Sequence, residues 1–121
     1  MRITLEEILD AMPVLNELSG QKLPAVISFS LAKLIRNLRV EADAFEQTRI
    51  ALVKNLGQET ENKEYVVKKE NLEDFSSQMK QLLNTVVDIE VDKIDLNSFE
   101  TSNLQMTPNE MMKIDFLFKR A

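Results

Sequence analysis

The chain has 121 residues, of which 44% are hydrophobic and 29% are charged, a composition typical of a folded globular protein. Cysteine and histidine are both absent, which excludes disulfides, thiol chemistry, histidine-based triads and zinc or haem sites held by these residues. The formal net charge of −5 disfavours non-specific binding to nucleic acid or to anionic membranes. This length fits one domain over residues 1–121, and we expect it to have neither enzymatic activity nor a cofactor.

We expect no targeting signal in the N-terminal region, because Glu6 and Glu7 follow the start and an apolar signal core is not evident there. No stretch approaches the roughly 20 apolar residues that a membrane-spanning helix needs. We therefore expect a soluble cytoplasmic protein. The two glycines and three prolines leave few turn signals, which favours long helices over a many-stranded sandwich.

The first helix is predicted to begin after Thr4, because Thr4 and Glu7 have the spacing of a capping box. Leu5, Ile8 and other apolar residues then recur at helical period. Pro13 lacks an N–H group and predicts a kink or break near Met12.

A second helix is predicted from Pro24 to about Leu56, with Gly57 as its stop. Along it an apolar stripe alternates spacings of four and three, and its members are Leu31, Ile35, Leu38, Ala42, Phe45, Leu52 and Leu56. The one polar residue in this register is Arg49. Its aliphatic part can lie along the core while its guanidinium reaches water or a carboxylate. Alternatively, Arg49 fixes the register of a partner helix.

Shorter elements follow in the second half of the chain. Tyr65–Lys68 and Thr85–Asp95 are predicted strands that pair in a small sheet, with a third helix between them that Asn71 caps. The alternation of the second strand slips at Lys93 and Ile94, where we expect a bulge or the end of the strand. The last helix is predicted to begin with a capping box at Thr107 and to run to about Lys119.

The acidic side chains Asp88, Glu90 and Asp92 are the best candidates for a metal or acid–base site. On one strand they would lie roughly 6.5 to 7 Å apart, in a row rather than around one cation. A solvated strand face is therefore the preferred interpretation, and we predict no metal site. Lys33, Arg36, Asn37 and Arg39 form a modest basic cluster on the second helix, which we interpret as a solvated face.

The last helix carries more apolar residues than one face needs. Met111, Ile114, Leu117 and Phe118 form one stripe, whereas Met112 and Phe116 project roughly 100° or more away from Met111. Either the helix is buried on two sides within one chain, or Met112 and Phe116 contact another chain.

Several short runs resemble small proteins encoded by phages and prophages of Gram-positive bacteria. They include Ala11-Met12-Pro13-Val14-Leu15, Gln21-Lys22-Leu23-Pro24, Leu31-Ala32-Lys33-Leu34, Ala44-Phe45-Glu46 and Val87-Asp88-Ile89. The resemblance covers most of the chain and implies a bacterial or viral setting. It implies no catalytic residue.

Together these patterns predict a mainly helical α+β fold, with a long helical hairpin, a small two-stranded sheet and a C-terminal helix. The expected function is non-enzymatic, that of a phage or prophage interaction or assembly protein. Arg49, Met112 and Phe116 are the candidate contact residues, and the partners are proteins, including further copies of the chain. The alternative is a small acidic inhibitor or regulator of a host protein. Nucleic acid, membranes and small-molecule substrates are not expected partners.

Overall fold

The structure, a computed structural model, describes residues 1–90, 92–95, 97 and 104–119. It has the mainly helical α+β fold that the sequence predicts. Single turns of 3-10 helix lie at Lys69–Asn71 and Asp115–Leu117. The other elements are β1 (Arg2–Thr4), α1 (Leu5–Leu18), α2 (Ala25–Leu56), β2 (Gly57–Glu59), β3 (Tyr65–Val67), α3 (Leu72–Leu83), β4 (Val86–Asp88), β5 (Ile94–Asp95), α4 (Pro108–Ile114) and β6 (Phe118–Lys119).

Helix α1 begins at the predicted capping box. The amide of Glu7 donates to Thr4 Oγ1 at 3.2 Å, and the amide of Thr4 donates to Glu7 Oε1 at 3.2 Å. Of the predicted kink or break near Met12, the break is wrong, because the helix continues to Leu18, and the kink stays a prediction. Pro13 lies on the exposed side, whereas Met12 and Val14 on either side of it are buried. Packing of these neighbours offsets the hydrogen bond that proline cannot make.

Helix α2 has 32 residues, a length of about 48 Å. Its predicted apolar stripe is buried in the first two-thirds, where Leu38 is fully buried and Phe45 is 7% exposed. Beyond Phe45 no side chain of α2 is buried, and Leu52 and Leu56 are only partly covered. The long helix therefore extends past the core that anchors it.

Among the described residues, the strands form three two-stranded sheets. Their pairing differs from the predicted pairing of two strands in one sheet. Strand β1 pairs antiparallel with β4, β2 pairs antiparallel with β3, and β5 pairs parallel with β6. Tyr65–Lys68 thus does not pair with Thr85–Asp95. Strand β3 instead forms a local hairpin with the residues that directly follow α2.

The predicted strand Thr85–Asp95 divides into β4 and β5, and Val91 lies outside the described residues. The C-terminal helix is shorter than predicted. Its capping box at Thr107 forms, but α4 ends at Ile114, and a 3-10 turn leads into β6. The change of backbone brings Leu117 and Phe118 into the core, and Phe118 pairs with Ile94.

The core joins the N-terminal strand, both long helices and the C-terminal segment. Helix α3 lies at its margin, since none of its side chains is buried. Among the described residues, no helix is long and apolar enough to cross a membrane. The most deeply buried large side chains are Ile8, Leu15, Leu34, Leu38, Ile114 and Leu117.

Candidate interaction site

Helix α2 carries a second apolar stripe that the core does not cover. Val26, Phe29 and Val40 are 79%, 68% and 63% exposed. At 100° per residue, these side chains lie about 140° around the helix axis from the buried leucines. Large apolar side chains grouped on one exposed face commonly mark a contact surface for another molecule.

An open groove runs between this side of α2 and the chain around the end of β4. Its volume is about 810 Å³, and we refer to it as the α2–β4 groove. Phe29, Lys33 and Val40 are among the α2 residues that line it. Asp88, Ile89, Glu90 and Asp92 line it on the side of β4, and Met1 contributes at one end.

Hydrogen bonds fix the β4 side of the groove at two points. The Asn37 amide donates to the carbonyl oxygen of Glu90 at 3.2 Å, which ties this wall to α2. The backbone amide of Ile89 donates to the carbonyl of Met1 at 2.8 Å, and the Met1 amino group donates to the Ile89 carbonyl at 2.8 Å. The Asn37 side chain thus ties this wall to α2, and backbone bonds tie it to the N-terminal residue.

Among the described residues, no strand pairs with the edge of β4 that faces away from β1. Met1 and Ile89 exchange two hydrogen bonds, and the Leu5 amide donates to the Thr85 carbonyl, between β1 and the β4 chain. Because bonded and non-bonded pairs alternate in an antiparallel ladder, the amide and carbonyl of Val86 and of Asp88 point away from β1. No described residue hydrogen-bonds these backbone groups. Val86 is also exposed.

The predicted acidic row begins at Asp88 at the end of β4, and Glu90 and Asp92 follow beyond the strand. Asp88, Glu90 and Asp92 are exposed, as the alternation predicts, and all three line the groove. In the part of the chain that the structure describes, no three acidic side chains are grouped so as to hold a metal ion. On the opposite wall Lys33 and Glu41 carry opposite charges, so the groove is largely apolar and without net charge on α2 and acidic on the side of β4.

The three cations of the predicted basic cluster are exposed, as the interpretation of a solvated face requires. Arg39 donates to Asn16 Oδ1 at 3.3 Å, whereas Asn37 contacts the Glu90 carbonyl. Lys33 lines the groove and Arg36 is exposed.

Arg49 pairs with Glu46 on its own helix. Its Nε atom donates to Glu46 Oε2 at 3.0 Å, and its second guanidinium nitrogen bonds the other carboxylate oxygen. Hydrogen bonding to this guanidinium lowers the pKa of the Glu46 carboxyl, and the same bond raises the pKa of Arg49. The guanidinium thus reaches a carboxylate, which is one of the arrangements predicted from the sequence. A role of Arg49 in fixing the register of a partner helix stays a prediction.

Met112 and Phe116 lie together but differ in exposure. Met112 is 66% exposed, whereas Phe116 is partly buried against the core. Both line an open depression of about 310 Å³ whose other walls are polar. Of the segment 97–105 that could cover them within one chain, residues 98–103 lie outside the described residues. The predicted contact with a second chain stays a prediction.

Val26, Phe29 and Val40 are exposed apolar residues that were not predicted as contact residues from the sequence. A signal for them was present, because positions 26, 29, 33, 36 and 40 repeat spacings of three and four beside the core stripe. Lys33 and Arg36 are charged residues within that pattern, so it does not read as a continuous apolar stripe.

Comparison with protein-family models, with curated proteins and with solved structures gives no match.

Proposed function

We propose that this chain is a non-enzymatic interaction or assembly protein of a phage or prophage. In this proposal it acts in the bacterial cytoplasm, with the virion as the alternative location. Its partners are proteins rather than nucleic acid, membranes or small-molecule substrates, and it needs no cofactor. The phage setting depends on the resemblance of its short sequence runs to proteins of Gram-positive phages and prophages.

The observation that carries the proposal is the exposure of Phe29 and Val40 beside an open groove. Covering one such side chain is worth about 1.5–3 kcal/mol relative to leaving it in water. A bound protein would cover both of them together with Val26. The amino-acid inventory supports the absence of catalysis, because histidine and cysteine, the commonest general base and the most reactive nucleophile, are missing.

Self-association belongs to the same proposal. Met112 is exposed on α4, and Phe116 lies beside it on the rim of the smaller depression. A two-fold contact through these residues would bury each of them twice. This surface involves α4 and α1, not the α2–β4 groove, so a dimer formed there leaves the groove accessible.

The second candidate function is an acidic inhibitor or regulator of a host protein. The exposed row Asp88, Glu90 and Asp92 favours it, together with the net charge of −5. The two candidates differ in salt dependence. An acidic inhibitor associates with its target at a rate that falls steeply with ionic strength, whereas an apolar contact through Phe29 is much less sensitive.

Site-specific photo-cross-linking in the organism of origin tests the proposed function. A photoreactive phenylalanine analogue replaces Phe29, and in a matched control it replaces Ser77, which is exposed on α3. We expect position 29 to give a defined covalent adduct with a protein, identified by mass spectrometry, that position 77 does not give. Identical adducts from both positions, or none from position 29, would contradict the proposal.

A further inference from the structure

We propose that the α2–β4 groove binds its partner by β-augmentation, in which an extended basic segment of the partner pairs with the outer edge of β4. This inference rests on the proposed function and names the chemistry of the partner. β-Augmentation joins a peptide to an exposed sheet edge through main-chain hydrogen bonds, while alternate side chains give specificity.

The backbone of β4 supplies the first requirement. Val86 and Asp88 each direct an N–H and a C=O group away from β1, and no described residue bonds them. A neighbouring strand would lie about 4.8 Å from this edge. The groove borders this edge at Asp88. At Glu90, two residues farther along, the Asn37 side chain already bonds the backbone carbonyl, so the open part of the edge ends at Asp88.

The side chains around the edge define the sequence of the partner. Asp88, at the end of β4, and Glu90, two residues beyond it, are exposed, whereas Ile89 between them is buried. The Met1 amino group lies 3.4 Å from Asp88 Oδ1, and the Asp88 side chain is still 79% exposed. An added strand would therefore place every second side chain beside the carboxylates and the remaining ones towards Ile89 and Phe29. Opposite charges at adjacent strand positions attract. Lysine or arginine alternating with aliphatic residues fits both faces.

A second copy of the chain fits this edge poorly. Two-fold antiparallel pairing of β4 with β4 that is centred on Asp88 would place the Asp88 carboxylates of the two copies opposite each other. Pairing centred on Val87 would place them at diagonal positions on one sheet face, about 7–8 Å apart. Like charges at facing positions destabilise a sheet, and charged edges commonly prevent such pairing. The acidic row thus protects the edge from self-pairing while it attracts a basic strand.

The test uses two synthetic eight-residue peptides, one alternating lysine with valine and one alternating glutamate with valine. Fluorescence anisotropy measures binding to the full chain, and NMR measures the exchange rates of the Val86 and Asp88 amides. We expect saturable binding of the lysine peptide only, together with slower exchange at both amides. Replacing Asp88→Asn and Glu90→Gln together should weaken binding about tenfold.

A proline substitution isolates the backbone contribution. Val86→Pro removes an outward N–H that β1 does not use, and proline is tolerated at such edge positions. We expect it to weaken binding about three- to tenfold, whereas Val86→Thr, which keeps the N–H, stays within about twofold. Equal weakening by both variants would contradict pairing at this edge.

Other outcomes overturn the inference as a whole. These are the absence of saturable binding at millimolar peptide, equal binding of the glutamate peptide, and binding without slower exchange at Val86 and Asp88. Slow exchange at these amides in the free protein would show that the edge is already covered. If the exchange rate depends on protein concentration, a second copy covers the edge. If it does not, the same chain covers it. If the peptides fail while cross-linking from position 29 succeeds, the proposed function stands and β-augmentation is wrong.

Discussion

Gly57 shows how one residue position is constrained by its neighbours rather than by its own backbone angles. Its φ of −115° and ψ of −173° are extended and open to any residue. A Cβ atom at this position would, however, lie 2.5 Å from the carbonyl oxygens of both Val53 and Val66. The end of α2 and strand β3 thus approach each other so closely that only glycine fits between them.

We therefore expect Gly57→Ala to lower the free energy of unfolding by about 1–3 kcal/mol. The matched control is Gly20→Ala, whose Cβ would lie at an ordinary 3.6 Å from the Glu17 carbonyl oxygen. That change should leave stability within about 0.5 kcal/mol or raise it slightly. Chemical denaturation measures both, and equal effects would contradict the close approach at Gly57.

Phe45 is the last buried residue of α2, at 7% exposure. Truncation to alanine leaves a cavity as well as losing apolar contacts, so Phe45→Ala should cost about 3–5 kcal/mol of unfolding free energy. Ile50→Ala on the exposed part of the same helix serves as the control and should cost much less. A measured loss below about 1 kcal/mol for Phe45→Ala would remove Phe45 from the core.

At the scale of elements, the local signals predicted where helices begin. Both capping boxes form as predicted, and Gly57 directly follows the last residue of α2. Each of these features depends on residues within one or two turns of each other. Strand pairing was mispredicted because three-residue strands carry little pattern, and their partners are set by distant contacts. Met1 and Ile89, which bond at the end of the β1–β4 ladder, are 88 residues apart.

The capping box of α4 should make the stability of the protein depend on pH through the carboxylate of Glu110. Hydrogen bonds from the backbone amide and hydroxyl of Thr107 lower the pKa of Glu110. The carboxylate therefore contributes stability above the ordinary glutamate pKa, and the contribution is lost as the pH falls through the lowered pKa. The stability difference between the wild type and Glu110→Gln should shrink on acidification. An NMR titration with no lowering of the Glu110 pKa would contradict this cap.

In the whole molecule, two of the surfaces that expose apolar side chains are the proposed contact surfaces. One is the second apolar stripe of α2, formed by Val26, Phe29 and Val40, which we call the outer stripe. The other is the region of Met112 and Phe116 on the C-terminal segment. The second surface was visible in the sequence as an excess of apolar residues around one helix. The groove was not, because its walls come from residues such as Asn37 and Glu90, which are 53 positions apart.

The C-terminal surface predicts a change in solution mass. We expect the wild-type chain to self-associate, and Met112→Glu with Phe116→Glu to lower the mass while circular dichroism and melting cooperativity are kept. The physical reason is that two buried carboxylates in a dimer contact would be strongly unfavourable. Unfolding of the double variant would instead place both residues in the core of one chain. A wild-type monomer at high micromolar concentration would contradict self-association outright.

The outer stripe of α2, formed by Val26, Phe29 and Val40, is proposed to bind a protein partner. Calorimetry with the purified partner that is identified by cross-linking from position 29 tests this binding. We predict that Phe29→Ser with Val40→Ser weakens binding at least about tenfold, because both side chains are covered in the complex. The matched control, Ile50→Ser with Leu72→Ser, removes exposed apolar side chains at the other end of the molecule and should change affinity less than about twofold. Equal losses for the two double variants, or unchanged affinity for the first, would contradict the claim.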